Sequence, residues 1–267
     1  MFLRQYHFIR IVIPTIAIIV GLLGLWRLSY QATCFSLAFV LIILGIIAYS
    51  FISLKMRERK CFIKCYLNDN SLFTKLLSSK IMVSLVYFII SIMMTLSVIY
   101  SVLEYSFILW GCIFLQIFIC AFVFQFLNRS LRKVVKQDYL ALLSREWSIN
   151  ICSCIFFVIY FCIVVYGYEP TYLRDNLKET LELATNSIGS NCEYIDYFLR
   201  IKRELDALSW WGMNLVDTKL GSYRVLGWSI FIALNILSSL GINRVIMQVI
   251  YWVNGYSKRL DESMDKE

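Results

Sequence analysis

One histidine, two prolines and a charged fraction of only 16% mark a chain of 267 residues. Each scarcity excludes something. Metal centres of membrane enzymes draw several His or carboxylate ligands to one point, but here the lone His7 sits near the start and no H-E-x-x-H occurs. No G-x-x-x-x-G-K-[ST] is present to cradle phosphates. No G-x-S-x-G supplies a serine elbow. The reading is therefore of a protein that is not an enzyme and carries no cofactor and no metal. Few Pro and only 11 Gly remove the punctuation of turn-rich β architecture and leave helices uninterrupted. The shortage of charge argues against a soluble domain, in which about a quarter of residues are charged.

What fills the chain instead is apolar: 60% hydrophobic residues and a mean hydropathy of +0.69. Six stretches lack any charge: Ile11–Trp26, Leu28–Leu54, Ile81–Leu103, Tyr105–Asn128, Trp147–Tyr168 and Val225–Asn243. About 20 apolar residues cross a 30 Å hydrocarbon core as a helix. The first and last are slightly short, but Arg10 and Arg27 can lift their guanidinium groups to the two interfaces of the first. Barrel strands alternate apolar with polar, whereas these runs are apolar all round. Lone strands in lipid leave backbone groups unpaired. The expected fold is an all-α integral membrane bundle of about six transmembrane helices with one extracytoplasmic helical hairpin. The first run resembles a signal peptide in its basic start, but Arg27–Ala32 alone separates it from the second, so a retained helix is expected.

Charge sets the orientation. Lys55–Lys80 holds seven basic and two acidic residues, and Arg129–Ser148 holds five and two. With six spans both segments and both termini share one side, which the positive-inside rule makes cytoplasmic. Glu169–Arg224 holds nine acids against seven bases and falls outside. The formal excess of +8 is thus an inner-surface charge, suited to anionic lipid headgroups. No basic domain with interleaved aromatics suggests nucleic acid. Three regions follow: a five-span part over 1–168, the hairpin over 169–224, and a last part over 225–267. That last part holds the sixth span, an interfacial helix and an acidic tail.

Within the hairpin, Leu173, Leu177, Leu181, Ala184 and Ile188 recur at helical spacing. Gly189 breaks the pattern. A second face runs through Tyr194, Phe198, Ile201, Leu205 and Leu208 to Trp210 and Trp211. Two antiparallel helices that bury these faces on one another are expected. The candidate partner-binding residues are Tyr194, Tyr197, Phe198, Trp210 and Trp211, because aromatic residues dominate interface energetics. After the sixth run, Val245, Ile246, Val249, Trp252 and Val253 share a face, as in a helix lying in the inner interface.

Nine cysteines divide by compartment. Five fall within spans as small hydrophobes. Cys61 and Cys65 face the cytoplasm and read as packing residues, too few for a tetrahedral zinc site. Cys34 and Cys192 share the oxidising side but are expected to stay apart, since nothing in the sequence sets them at disulfide distance. No ionisable group falls in the centre of a charge-free run. Weaker polar groups do: Gln116 and Gln125 in the fourth, and Asn235, Ser238 and Ser239 in the sixth. Gln116, Asn235 and Ser239 are candidates for a polar pathway or for interhelical contact. Ser91 with Thr95, Ser97 with Ser101, and Ser229 with Ala233 have small-xxx-small spacing. The leading functional expectation is a non-catalytic structural or interaction component of a cell-envelope assembly in a bacterial inner membrane. The alternative is a small transporter or channel.

Overall fold

The computed structural model describes residues 2–66, 80–167, 170–186, 188–190, 192–219 and 224–264. Within these, the side chains of 2–7, 57, 59–66, 138, 160–161, 163–167, 216–219, 224–235, 258 and 260–264 are not described. The described residues are almost all helical, with no strand among them. The helices are α1 (Phe2–Ser29), α2 (Ser36–Tyr66), α3 (Lys80–Glu104), α4 (Phe107–Ser130), α5 (Gln137–Gly167), α6 (Leu177–Asn186), α7 (Glu193–Lys219) and α8 (Arg224–Met264). Six of them, α1 to α5 and α8, are long and apolar enough to cross a membrane. This is the expected all-α membrane bundle.

The turns between spans are short and locally specified. Tyr105 and Ser106 alone join α3 to α4, and the Ser106 hydroxyl accepts from the Leu109 amide at 3.4 Å, which caps α4. Arg27 donates to the Tyr105 carbonyl at 2.8 Å and Trp26 to the Ile99 carbonyl at 3.1 Å, so α1 is stitched to the end of α3.

Two spans differ from the charge-free runs. α5, which starts at Gln137, takes in Arg145 and Glu146, and α8, which starts at Arg224, continues past Asn243 and takes in Arg244. The interfacial helix expected after Asn243 does not exist as a separate element, because α8 continues unbroken to Met264. All ten residues from Gly241 to Ile250 are buried, and the helix extends into the acidic tail. The reason is packing: α1, α2, α3, α4 and α5 all lie against α8. The described apolar part of α8, Ile236–Ser257, is 61% buried, against 28% to 44% for the other spans, so α8 is the axis of the bundle. At Gly241 it comes close to α3: a Cβ there would stand 2.6 Å from Val98 Cγ2. The small residues Ser91, Thr95 and Ser97 are buried in α3. Ser238 donates to Ser101 at 2.7 Å across the same seam. The side chains of Ser229 and Ala233 lie outside the described residues.

The hairpin has the expected two helices. Asn176 caps α6 by accepting from the Lys178 amide. The two run antiparallel, since Asp175 meets Trp211 while Ala184 packs with Ala207. The second expected contact face is a correction. Phe198, Ile201, Leu205 and Leu208 are exposed, and α7 turns Ile195, Leu199, Arg203 and Ala207 inward instead.

Candidate functional site

The hairpin is fixed to the bundle by covalent and ionic ties. Cys34, in the α1–α2 turn, is disulfide-bonded to Cys192, just before α7. This corrects the expectation that they stay apart: the pair spans 158 residues of chain, and only the folded arrangement brings them together. Next to the bridge, Asp196 accepts from the Ser190 amide at 2.9 Å and from the Tyr30 hydroxyl at 3.4 Å. Burial, with Asp196 beside it, pushes the Tyr30 phenol up to about 12, so it remains a donor at neutral pH.

Two turns along α7 lies a second tie. Arg203 donates to the Tyr100 hydroxyl at 2.7 Å and pairs with Glu104 at 2.9 Å. Its guanidinium stacks on Tyr172, 4.4 Å from the ring centre. Asp206 accepts from the hydroxyls of both Tyr100 and Tyr172, each at 3.2 Å. Burial pushes the Asp206 carboxyl above its ordinary value, while Lys202, the Tyr100 hydroxyl, Arg203 and the Tyr172 hydroxyl oppose that.

With its inner side held this way, α7 presents Tyr194, Tyr197, Phe198, Ile201, Leu205 and Leu208 outward, 41% to 77% exposed. Of the expected partner-binding residues, Tyr194, Tyr197 and Phe198 therefore stand together on one stripe, with the rings of Tyr197 and Phe198 5.5 Å apart. Trp210 and Trp211 do not join it. Both are half-buried, and Trp211 donates to the Asp175 carbonyl at the base of the hairpin.

A second polar constellation runs down α8. Ser239 donates to the Ser153 carbonyl at 3.1 Å. Asn243 donates back to the Ser239 carbonyl and accepts from Gln116 at 2.7 Å, and Gln116 also donates to the Cys152 carbonyl at 2.8 Å. Lower still, Glu146 takes Arg145 at 2.7 Å and Arg244 at 3.2 Å. Arg145 reaches Gln248 at 2.6 Å and the Ser50 carbonyl at 3.1 Å, while Arg244 stacks over Phe51 at 3.7 Å. Gln116 and Ser239 are thus interhelical contacts; the side chain of Asn235 lies outside the described residues. Arg145, Glu146, Asn243, Arg244 and Gln248 were missed as site residues. The signal was available: Arg244 interrupts a run that stays apolar on both sides, Gly-Ile-Asn-Arg-Val-Ile-Met.

Around the α4–α5 connection, Arg129, Arg132, Lys133 and Lys136 are exposed. Cys61 and Cys65 lie in α2 with side chains outside the described residues. Cys112, Cys120, Cys152, Cys154 and Cys162 are free thiols within the spans. Among the described residues no three His, Cys, Asp or Glu gather at one point. No family model, curated protein or solved structure matches the chain.

Proposed function

We propose that this protein acts by contact rather than by chemistry: a structural or interaction component of a cell-envelope assembly, such as a secretion, conjugation, immunity or defence system. The observation that carries it is the apolar stripe of α7, held outward by a disulfide and by the Arg203–Asp206 ties. A helix meant only to connect two spans needs neither the anchoring nor the stripe. Orientation follows the charge: the basic loops and both termini are cytoplasmic, the hairpin lies outside, and the compartment is a bacterial inner membrane. The Cys34–Cys192 bridge supports this, because such bonds persist on the oxidising side. The exposed cations between α4 and α5 meet anionic headgroups on the inner surface.

One observation favours transport as a second reading. Gln116 Oε1 of α4 and Arg244 Nε and Gln248 Nε2 of α8 are buried without a hydrogen-bond partner among the described residues, and ionisable groups at membrane depth mark ion paths in transporters. Two substitutions compared at matched membrane levels separate the readings. Phe198→Ser abolishes function or co-purification if the chain works by contact, and Gln116→Met has little effect because it removes interhelical bonds worth about 1 kcal/mol. The reverse ranking overturns the proposal.

A further inference from the structure

α3 exposes one face along its first half and buries that same face in its second. Met82, Ile89 and Met93 are 46%, 52% and 53% exposed. Tyr100 follows them by 18, 11 and 7 residues, close to whole numbers of 3.6-residue turns, so it stands on the same line of the helix. Yet Tyr100 is only 5% exposed. What covers it is α7. Lys202 Nζ lies 5.3 Å and Arg203 Cζ 5.8 Å from its ring centre, and its hydroxyl joins Arg203 and Asp206.

In a span this apolar, the line of Met82, Ile89 and Met93 is a lipid-facing side. α7 therefore stands between α3 and the bilayer. A helix capping the bundle from above would leave that line uncovered. Tyr100 precedes the end of α3 at Glu104 by four residues, about 6 Å of rise, which sets α7 at the boundary of headgroups and acyl chains. The stripe then has a direction. Tyr197, Ile201 and Leu205 each follow a buried residue (Ile195, Leu199 and Arg203) by two positions, about 200° around the helix. They point away from α3, toward lipid.

We infer that the occupant of the C-terminal half of the α7 stripe, from Ile201 to Leu208, is lipid of the leaflet on the hairpin's side. Ile201, Leu205 and Leu208, beside the part of α7 that covers Tyr100, enter the acyl edge. The phenols of Tyr194 and Tyr197 and the cations of Arg200 and Lys202 stay at headgroup level, as amphipathic side chains do at such a boundary. This goes beyond the contact reading, which keeps Tyr194, Tyr197 and Phe198 for a protein partner.

The test is photocrosslinking of the full chain in native membranes, with benzoylphenylalanine replacing Ile201 or Leu205, and Glu193 as the control position. Retention of the Cys34–Cys192 bridge checks folding. The expected result is an adduct of phospholipid mass at Ile201 and Leu205 and none at Glu193. A protein adduct, or no lipid adduct at either stripe position, overturns the inference. Lipid adducts together with unchanged co-purification of Phe198→Ser would sink the contact reading and leave the lipid assignment standing. Protein adducts together with lost co-purification would do the opposite.

Discussion

At the residue scale the energetics turn on a few buried charges. Glu146 holds Arg145 and Arg244, whose side chains are 1% and 7% exposed. Removing the carboxylate strands two guanidinium groups inside the bundle. Breaking a buried ionic cluster by deleting one partner costs about 3–5 kcal/mol, whereas replacing all its members with apolar residues is often tolerated. We expect Glu146→Ala to lower the detergent unfolding midpoint sharply, and the triple change Arg145→Met, Glu146→Leu, Arg244→Met to recover most of it. Asp206 makes a pH-dependent contribution. Its carboxyl is raised on folding, chiefly by burial, so ionising it is harder in the folded chain than in the unfolded one. The hairpin tie is therefore strongest below the ordinary carboxylate value and weakens as pH climbs through the raised one, then stays constant. Asp206→Asn keeps an acceptor for both tyrosines and removes that slope. Thermal midpoints of the two proteins between pH 3.5 and 7 should diverge as pH rises, with the Asn variant gaining on wild type; parallel curves would refute the assignment.

At the element scale, α8 and α7 depart most from a simple string of spans. α8 packs against all five other spans, and it is small where α3 presses on it. Gly241→Ala places a Cβ 2.6 Å from a stiff, β-branched side chain and 3.3 Å from the Met94 carbonyl. Overpacking of this kind costs about 1–3 kcal/mol. We expect Gly241→Ala to destabilise the bundle and Val98→Ala in the same chain to restore part of the loss, read from unfolding midpoints in a double-mutant cycle. For α7, the helical period was visible in the sequence, and so was its apolar stripe. Which of its two faces meets the bundle was not, because Ile195 and Leu199 share a row with Arg203, and a charged residue in that row argues for solvent. Tyr100 and Glu104 from α3, Tyr172 from the segment before α6, and Asp206 from α7 itself make an inward Arg203 tolerable.

At the scale of the whole molecule, five spans packed around α8 place the hairpin on the side opposite the basic α4–α5 connection. We expect a reporter active only outside the cytoplasm to be silent when fused at Glu267 and active when inserted at Gly189, which is exposed between α6 and α7. The opposite pattern would invert the orientation and move the disulfide into a reducing compartment, which its pairing argues against.

The helical membrane class, the number of spans, the hairpin and its break near Gly189 were all legible along the chain. These follow from run length, period and composition, which are local properties. The sequence located the first four spans well, since no charge interrupts them. It stopped the sixth run at Asn243 and began the fifth at Trp147, because a count of charge-free residues treats every Arg or Glu as an end. Tertiary structure decided otherwise: Arg244 and Arg145 meet Glu146 across two helices, and a charge neutralised by a neighbouring helix can stay within the bundle. The same holds for Cys34 and Cys192. Each is an ordinary cysteine in its own segment, and the bond depends on a distance across 158 residues that no single segment contains.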